Sequence, residues 1–90
     1  MNSEYQILTR VRAFLQDNLL YMRPDFVLAD DDRLLQQGVV DSMGVLEVLN
    51  FIEDEFDVRA RDDEISEANL GSLRAIARFV ASKQTTSAAA

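Results

Sequence analysis

The sequence has no cysteine, histidine or tryptophan, and only one proline, three glycines and one lysine. Without cysteine there is no disulfide framework, and nothing points to secretion. Without histidine or cysteine, the commonest general base, the best side-chain nucleophile and the usual zinc ligands are all missing. Carboxylates and the lone Lys83 remain, so neither an enzyme nor a metal site is expected. No apolar run is long enough to cross a membrane. The opening MNSEYQILTRVR lacks the basic start and long apolar stretch of a signal peptide, so a cytoplasmic protein is expected. Basic residues are also scarce: nine stand against sixteen acids, for a net charge of −7. That charge repels nucleic-acid phosphates and anionic membranes, and it favours protein partners with basic patches.

What is present is enough for one domain. Ninety residues at 48% hydrophobic content can bury a modest core. Ser3 and Gln6 form an S-x-x-Q capping box, followed by apolar residues at Leu8, Val11, Leu15 and Leu19, with Ile7 and Phe14 widening the stripe. This predicts a first helix over residues 3–20, stopped before Pro24. A long connection over 21–41 follows. Phe26, Leu28, Leu34, Leu35, Val39 and Val40 are its expected anchors, DRLLQQG a short turn ended by Gly38, and Asp30 to Asp32 a solvated run.

A second helix is predicted over 42–57, with Val45, Val48, Leu49, Ile52 and Phe56 inward. Met43, Glu47, Asn50 and Asp54 share another face. A short third helix is expected over 62–66, anchored by Ile65, and a fourth over 71–82 on Leu73, Ile76, Ala77 and Val80. No strand alternation occurs. The expected fold is all-α, a small four-helix bundle with a long first loop and a short third helix. The domain should occupy residues 1–83, with 84–90 a flexible tail.

The segment GVVDSMGVLEVLNFIEDEF, residues 38–56, carries the chemistry. Alone, Asp41-Ser42 reads as a helix cap, either residue being a good capping type. In context, Gly38, Asp41, Ser42 and Met43 match the G-x-x-DS-[LM] motif, and IEDEF, residues 52–56, matches an LEEEF-like helix end. On these residues the chain resembles the acyl carrier protein family, including peptidyl and aminoacyl carriers, from about Ile7 to Val80. The resemblance implies that Ser42, with Asp41 beside it, receives 4'-phosphopantetheine, whose thiol carries an acyl or aminoacyl thioester. It implies a phosphopantetheinyl transferase, a loading ligase and a downstream transferase or synthase as partners of a monomeric carrier.

The expectation is physically consistent. A helix N-terminus offers unpaired N–H groups and the positive end of the dipole, which favour a phosphodiester. Ser42 has to be reachable, and Gly44 is expected to add no side chain beside it. The acids of the second helix read either as a solvated face or as a docking surface, with Met43 an adaptable apolar contact. Gly44 stands where fatty-acid carriers typically have an acid, and Asn50 where they have an apolar residue. The VVDSMG wording is closer to freestanding aminoacyl or D-alanyl carriers and to those of polyketide or nonribosomal peptide biosynthesis. A housekeeping fatty-acid carrier and an unmodified acidic helical adaptor are the alternatives.

Overall fold

A computed structural model describes residues 3–20 and 27–89, apart from the side chains of Ser42 and 85–89. It contains four α-helices: α1 (Glu4–Asn18), α2 (Ser42–Phe56), the single-turn α3 (Glu67–Leu70) and α4 (Leu73–Ala89). A 3₁₀ turn over Asp62–Glu64 precedes α3, and no strand occurs among the described residues. This is the expected all-α bundle.

The capping box of α1 forms as the sequence implies. Ser3 Oγ accepts from the Gln6 N–H at 3.2 Å, and Gln6 Oε1 accepts from the Ser3 N–H at 3.0 Å. Ile7, Val11 and Leu15 are fully buried, whereas Leu8 and Leu19 are only partly so. The stripe is thus centred one residue earlier than the 8-11-15-19 reading. The helix also ends at Asn18, before the expected residue 20, and the N–H groups of Leu19 and Leu20 both return to Leu15 O.

The long loop is pinned by Leu28, Leu34, Val39 and Val40, all buried. Leu35 is exposed and is not an anchor, while Phe26 and Pro24 lie outside the described residues. Leu34 to Gly38 form a turn, which Gly38 ends in the left-handed region at φ 73°.

The three aspartates are not a solvated run. Asp30 accepts from Arg12 of α1 and faces Arg74 of α4 at 3.7 Å. Asp31 pairs with Arg74 at 2.7 Å, and Asp32 accepts from the Ala29 N–H at 2.9 Å. Arg12 also donates to Leu28 O. Two backbone bonds complete the attachment, Leu34 N–H to Gly71 O and Arg74 N–H to Asp30 O. These arginines tie the loop to α1 and α4 together.

In α2 the inward face is Val48, Leu49, Ile52 and Phe56, with Val45 half-buried. The helix ends at Phe56 because Asp57 turns left-handed at φ 54°. The expected third helix over 62–66 is only the 3₁₀ turn Asp62–Glu64, and the short helix follows it as α3, capped by Ser66, whose Oγ accepts from the Asn69 N–H at 3.3 Å. Leu70 is the buried anchor, and Ile65 is only partly buried. Gly71 closes α3 instead of opening α4, so α4 starts at Leu73 and continues to Ala89, past the expected Ser82. Leu73, Ile76, Ala77 and Val80 face the core as expected, joined by Phe79. Lys83 reaches Glu64 at 2.6 Å and ties the 3₁₀ turn to α4. The Arg61 backbone N–H and then the Lys83 ammonium hold the Glu64 carboxyl below its ordinary value.

Candidate functional site

Asp41 ends the loop in an extended conformation, and its Oδ1 accepts from the Gly44 N–H at 2.7 Å. The carboxylate is therefore the cap, and Ser42 is the first residue of α2. The N–H groups at the first two helical positions, Ser42 and Met43, have no intrahelical acceptor in this geometry. No acid lies in the first turn to oppose an incoming anion. Gly44 is buried, and a Cβ there would meet Val40 Cβ at 3.1 Å and Asp41 Oδ1 at 3.4 Å. Its smallness serves close packing of the loop end against the helix, a different role from clearing space beside Ser42.

Three apolar residues stand exposed at this end: Met43, the expected apolar contact, Leu35, expected as a buried loop anchor, and Leu46, which the periodicity argument left out. Met43 is 69% exposed, and Leu46 and Leu35 are 48% exposed. Leu35 and Val45 also line an apolar recess of about 170 Å³, closed by Ile65, Leu70 and Gly71. Leu46 was legible in principle, lying one turn from Met43, but Leu35 depends on the path of the loop.

Met43, Glu47, Asn50 and Asp54 are all exposed on α2. Glu47, Asn50 and Asp54 line an open groove of about 630 Å³ between α1 and α2, with Phe14, Asn18, Phe51 and Glu55. Met43 lies outside it, nearer the start of the helix. Phe14 and Phe51 stack across the groove floor with centroids 4.3 Å apart. The neighbouring acids are engaged: Glu55 pairs with Arg10, and Glu53 accepts from the Ala60 N–H at 3.1 Å. Glu47 and Asp54 meet no cation among the described residues.

A family model, the phosphopantetheine attachment site, matches residues 9–80. That is most of the chain, and the chain belongs to this family. No curated protein matches the sequence. Membership makes the protein a phosphopantetheine carrier of the acyl-carrier type, with 4'-phosphopantetheine as its prosthetic group. The residues present fit that group: a helix start with unbonded N–H groups, its cap carboxylate turned onto Gly44 and no acid in the first turn suits a phosphodiester.

Proposed function

We propose that Ser42 is the attachment residue and that the chain is a discrete carrier, itself non-catalytic, moving an acyl or aminoacyl group between separate enzymes. The observation that carries this reading is the division of roles at the head of α2. Asp41 supplies the cap, which leaves Ser42 at a helix start whose dipole and N–H groups favour an attached anion. Loading forms a bond from Ser42 Oγ to the β-phosphorus of coenzyme A. The pyrophosphate bond breaks, 3',5'-adenosine bisphosphate leaves, and the serine proton is lost. When bound, the group supplies the thiol that holds the cargo as a thioester.

Glu47, Asn50 and Asp54, with Met43 nearer the serine, make up the docking face for a transferase, a loading ligase and a downstream transferase or synthase. Polyketide, nonribosomal peptide or aminoacyl-transfer biosynthesis in the cytoplasm is the proposed setting. Gly44 and Asn50 support it over a housekeeping fatty-acid role. The carrier unit is taken as residues 1–83, with 84–90 as a tail, and as a monomer.

Intact mass after incubation with coenzyme A and a broad-specificity phosphopantetheinyl transferase tests the reading. The parent gains one phosphopantetheinyl group and Ser42→Ala gains none. A parent that stays unmodified, or an alanine variant that is still modified, overturns it. An acidic adaptor would keep its function in the alanine variant.

A further inference from the structure

The recess lined by Leu35, Val45, Ile65 and Leu70 stands beside the attachment position. Val45 follows Ser42 by three positions on α2, on the same face of the helix and about 4.5 Å further along its axis. The walls are apolar and still carry exposed surface: Leu35 is exposed, and Val45 and Ile65 are half-buried. The polar residues at the rim are engaged. Glu67 pairs with Arg33 at 2.9 Å, and Ser66 Oγ accepts from the Asn69 N–H. What the recess offers is apolar contact.

A phosphopantetheine arm is polar for most of its length, with a phosphodiester, a hydroxyl and two amides. Its one branched apolar unit is the quaternary carbon and its pair of methyl groups at the pantoyl end. Only the phosphate and one methylene separate that unit from the serine oxygen, whereas both amides separate it from the thiol. The dimethyl unit is therefore tethered within reach of the recess, and the thiol lies on the order of 10 Å beyond it. Size agrees. An apolar cavity of about 150 Å³ takes one benzene-sized group. A recess of about 170 Å³ thus seats one compact branched unit and has no room for a long chain besides.

We propose that this recess is the seat of the arm's dimethyl unit, with Leu35 as its lip, and that the cargo stays outside the bundle. The proposal rests on the carrier reading for the attachment of the arm at Ser42. Tethering holds the dimethyl unit at a local concentration in the millimolar range, so weak apolar contact docks it for part of the time. The amides of the arm gain nothing by following it inward, because an apolar recess leaves them without partners. A seat that grips the arm and ignores its far end suits acyl or aminoacyl groups of varied size and polarity.

The test loads the full isotope-labelled chain from coenzyme A, from a coenzyme A analogue lacking the two methyl groups, and from acetyl- and octanoyl-coenzyme A, with intact mass read on each product. The ordinary arm should shift the amide signals of Leu35, Ile65 and Leu70, and its methyl protons should show through-space contacts to Leu35 and Ile65. The analogue should load and leave those signals where the unloaded chain has them. Acetyl and octanoyl arms should give the same recess shifts as the free thiol arm. Leu35→Ala, at an exposed position, should keep the melting temperature and cut the recess shifts about threefold. Recess shifts that survive loss of the methyl groups, that spread to Leu49, Ile52 and Phe56 with the octanoyl group, or that persist undiminished in Leu35→Ala each overturn the proposal. Free pantetheine, added to the unloaded chain in the millimolar range that the tether supplies, should shift the same amides. A chain that does not load but answers to pantetheine sinks the carrier reading alone. A chain that loads without recess shifts sinks the recess inference alone, and a chain that does neither sinks both.

Discussion

Asp41→Ala removes the side-chain acceptor of the Gly44 N–H at the head of α2 and should cost about 0.5–2 kcal/mol, the usual worth of an N-cap. Ser42→Ala leaves that cap in place and should stay within about 0.5 kcal/mol of the parent. Urea unfolding of the two variants checks the pair, and the reverse ranking would move the cap to the serine. The sequence alone could not separate them, since aspartate and serine are equally good capping types and helix starts are uncertain by a residue. Glu64 makes a pH prediction. Its folded-state value lies below the ordinary 4.5 through the Arg61 N–H and Lys83. The sign follows: its contribution is present above the unfolded value and is lost as pH falls below 4.5 through the depressed folded one. Thermal melts from neutral to acid pH should show the parent losing more of its melting temperature in that window than Glu64→Gln does. Parallel curves would show that the carboxylate contributes nothing.

Leu49 of α2 is 8% exposed and lies beside the fully buried Ile52, so Leu49→Ala should destabilise by about 2–5 kcal/mol, with a matching fall in the thermal midpoint. The loop depends on charge as well as on its buried leucines and valines. Asp30→Asn should loosen Arg12 most, which keeps only Leu28 O, and Arg74 less, which keeps Asp31, and amide exchange from Ala29 to Leu34 should quicken in that variant, and in the parent on adding salt. Exchange insensitive to both changes would leave the buried leucines and valines as the sole anchors. The contrast explains what could be read beforehand. The amphipathic period of α1, α2 and α4 is local, and it survives in the structure with small shifts of phase and ends. The attachment of Asp30 to Arg12 and Arg74, and the stacking of Phe14 on Phe51, join residues far apart in sequence, and no local pattern announces them. The third helix is present and short, as expected, but its bounds moved from 62–66 to Glu67–Leu70 for a different reason. Ser66 looked like the end of one short helix when it was the cap of the next. At the site, the motif and the shared face of Glu47, Asn50 and Asp54 were legible, but the α1 wall was not.

The net charge of −7 gives the whole molecule a field that favours basic partners, and Glu47 and Asp54, which meet no cation among the described residues, are the proposed place for it to act. Glu47→Arg and Asp54→Arg should slow loading of Ser42 at low salt while leaving the fold intact, and their rates should depend less on ionic strength than the parent's. Loading rates across a salt series test this, and parent-like rates at low salt would return these acids to simple solvation. The helix that carries them is also held differently from the rest. α1 and α4 pack along one another extensively, and the loop is bonded to both, whereas α2 touches each of them more sparingly. Native-state hydrogen exchange should therefore rank the helices, with α2 amides opening at lower free energy than those of α1 and α4. That ranking would make α1, α4 and the loop a stationary frame and α2 the piece whose tilt yields when an enzyme presses on it, with the buried Ile52 and Phe56 drawing the helix back to its seat afterwards.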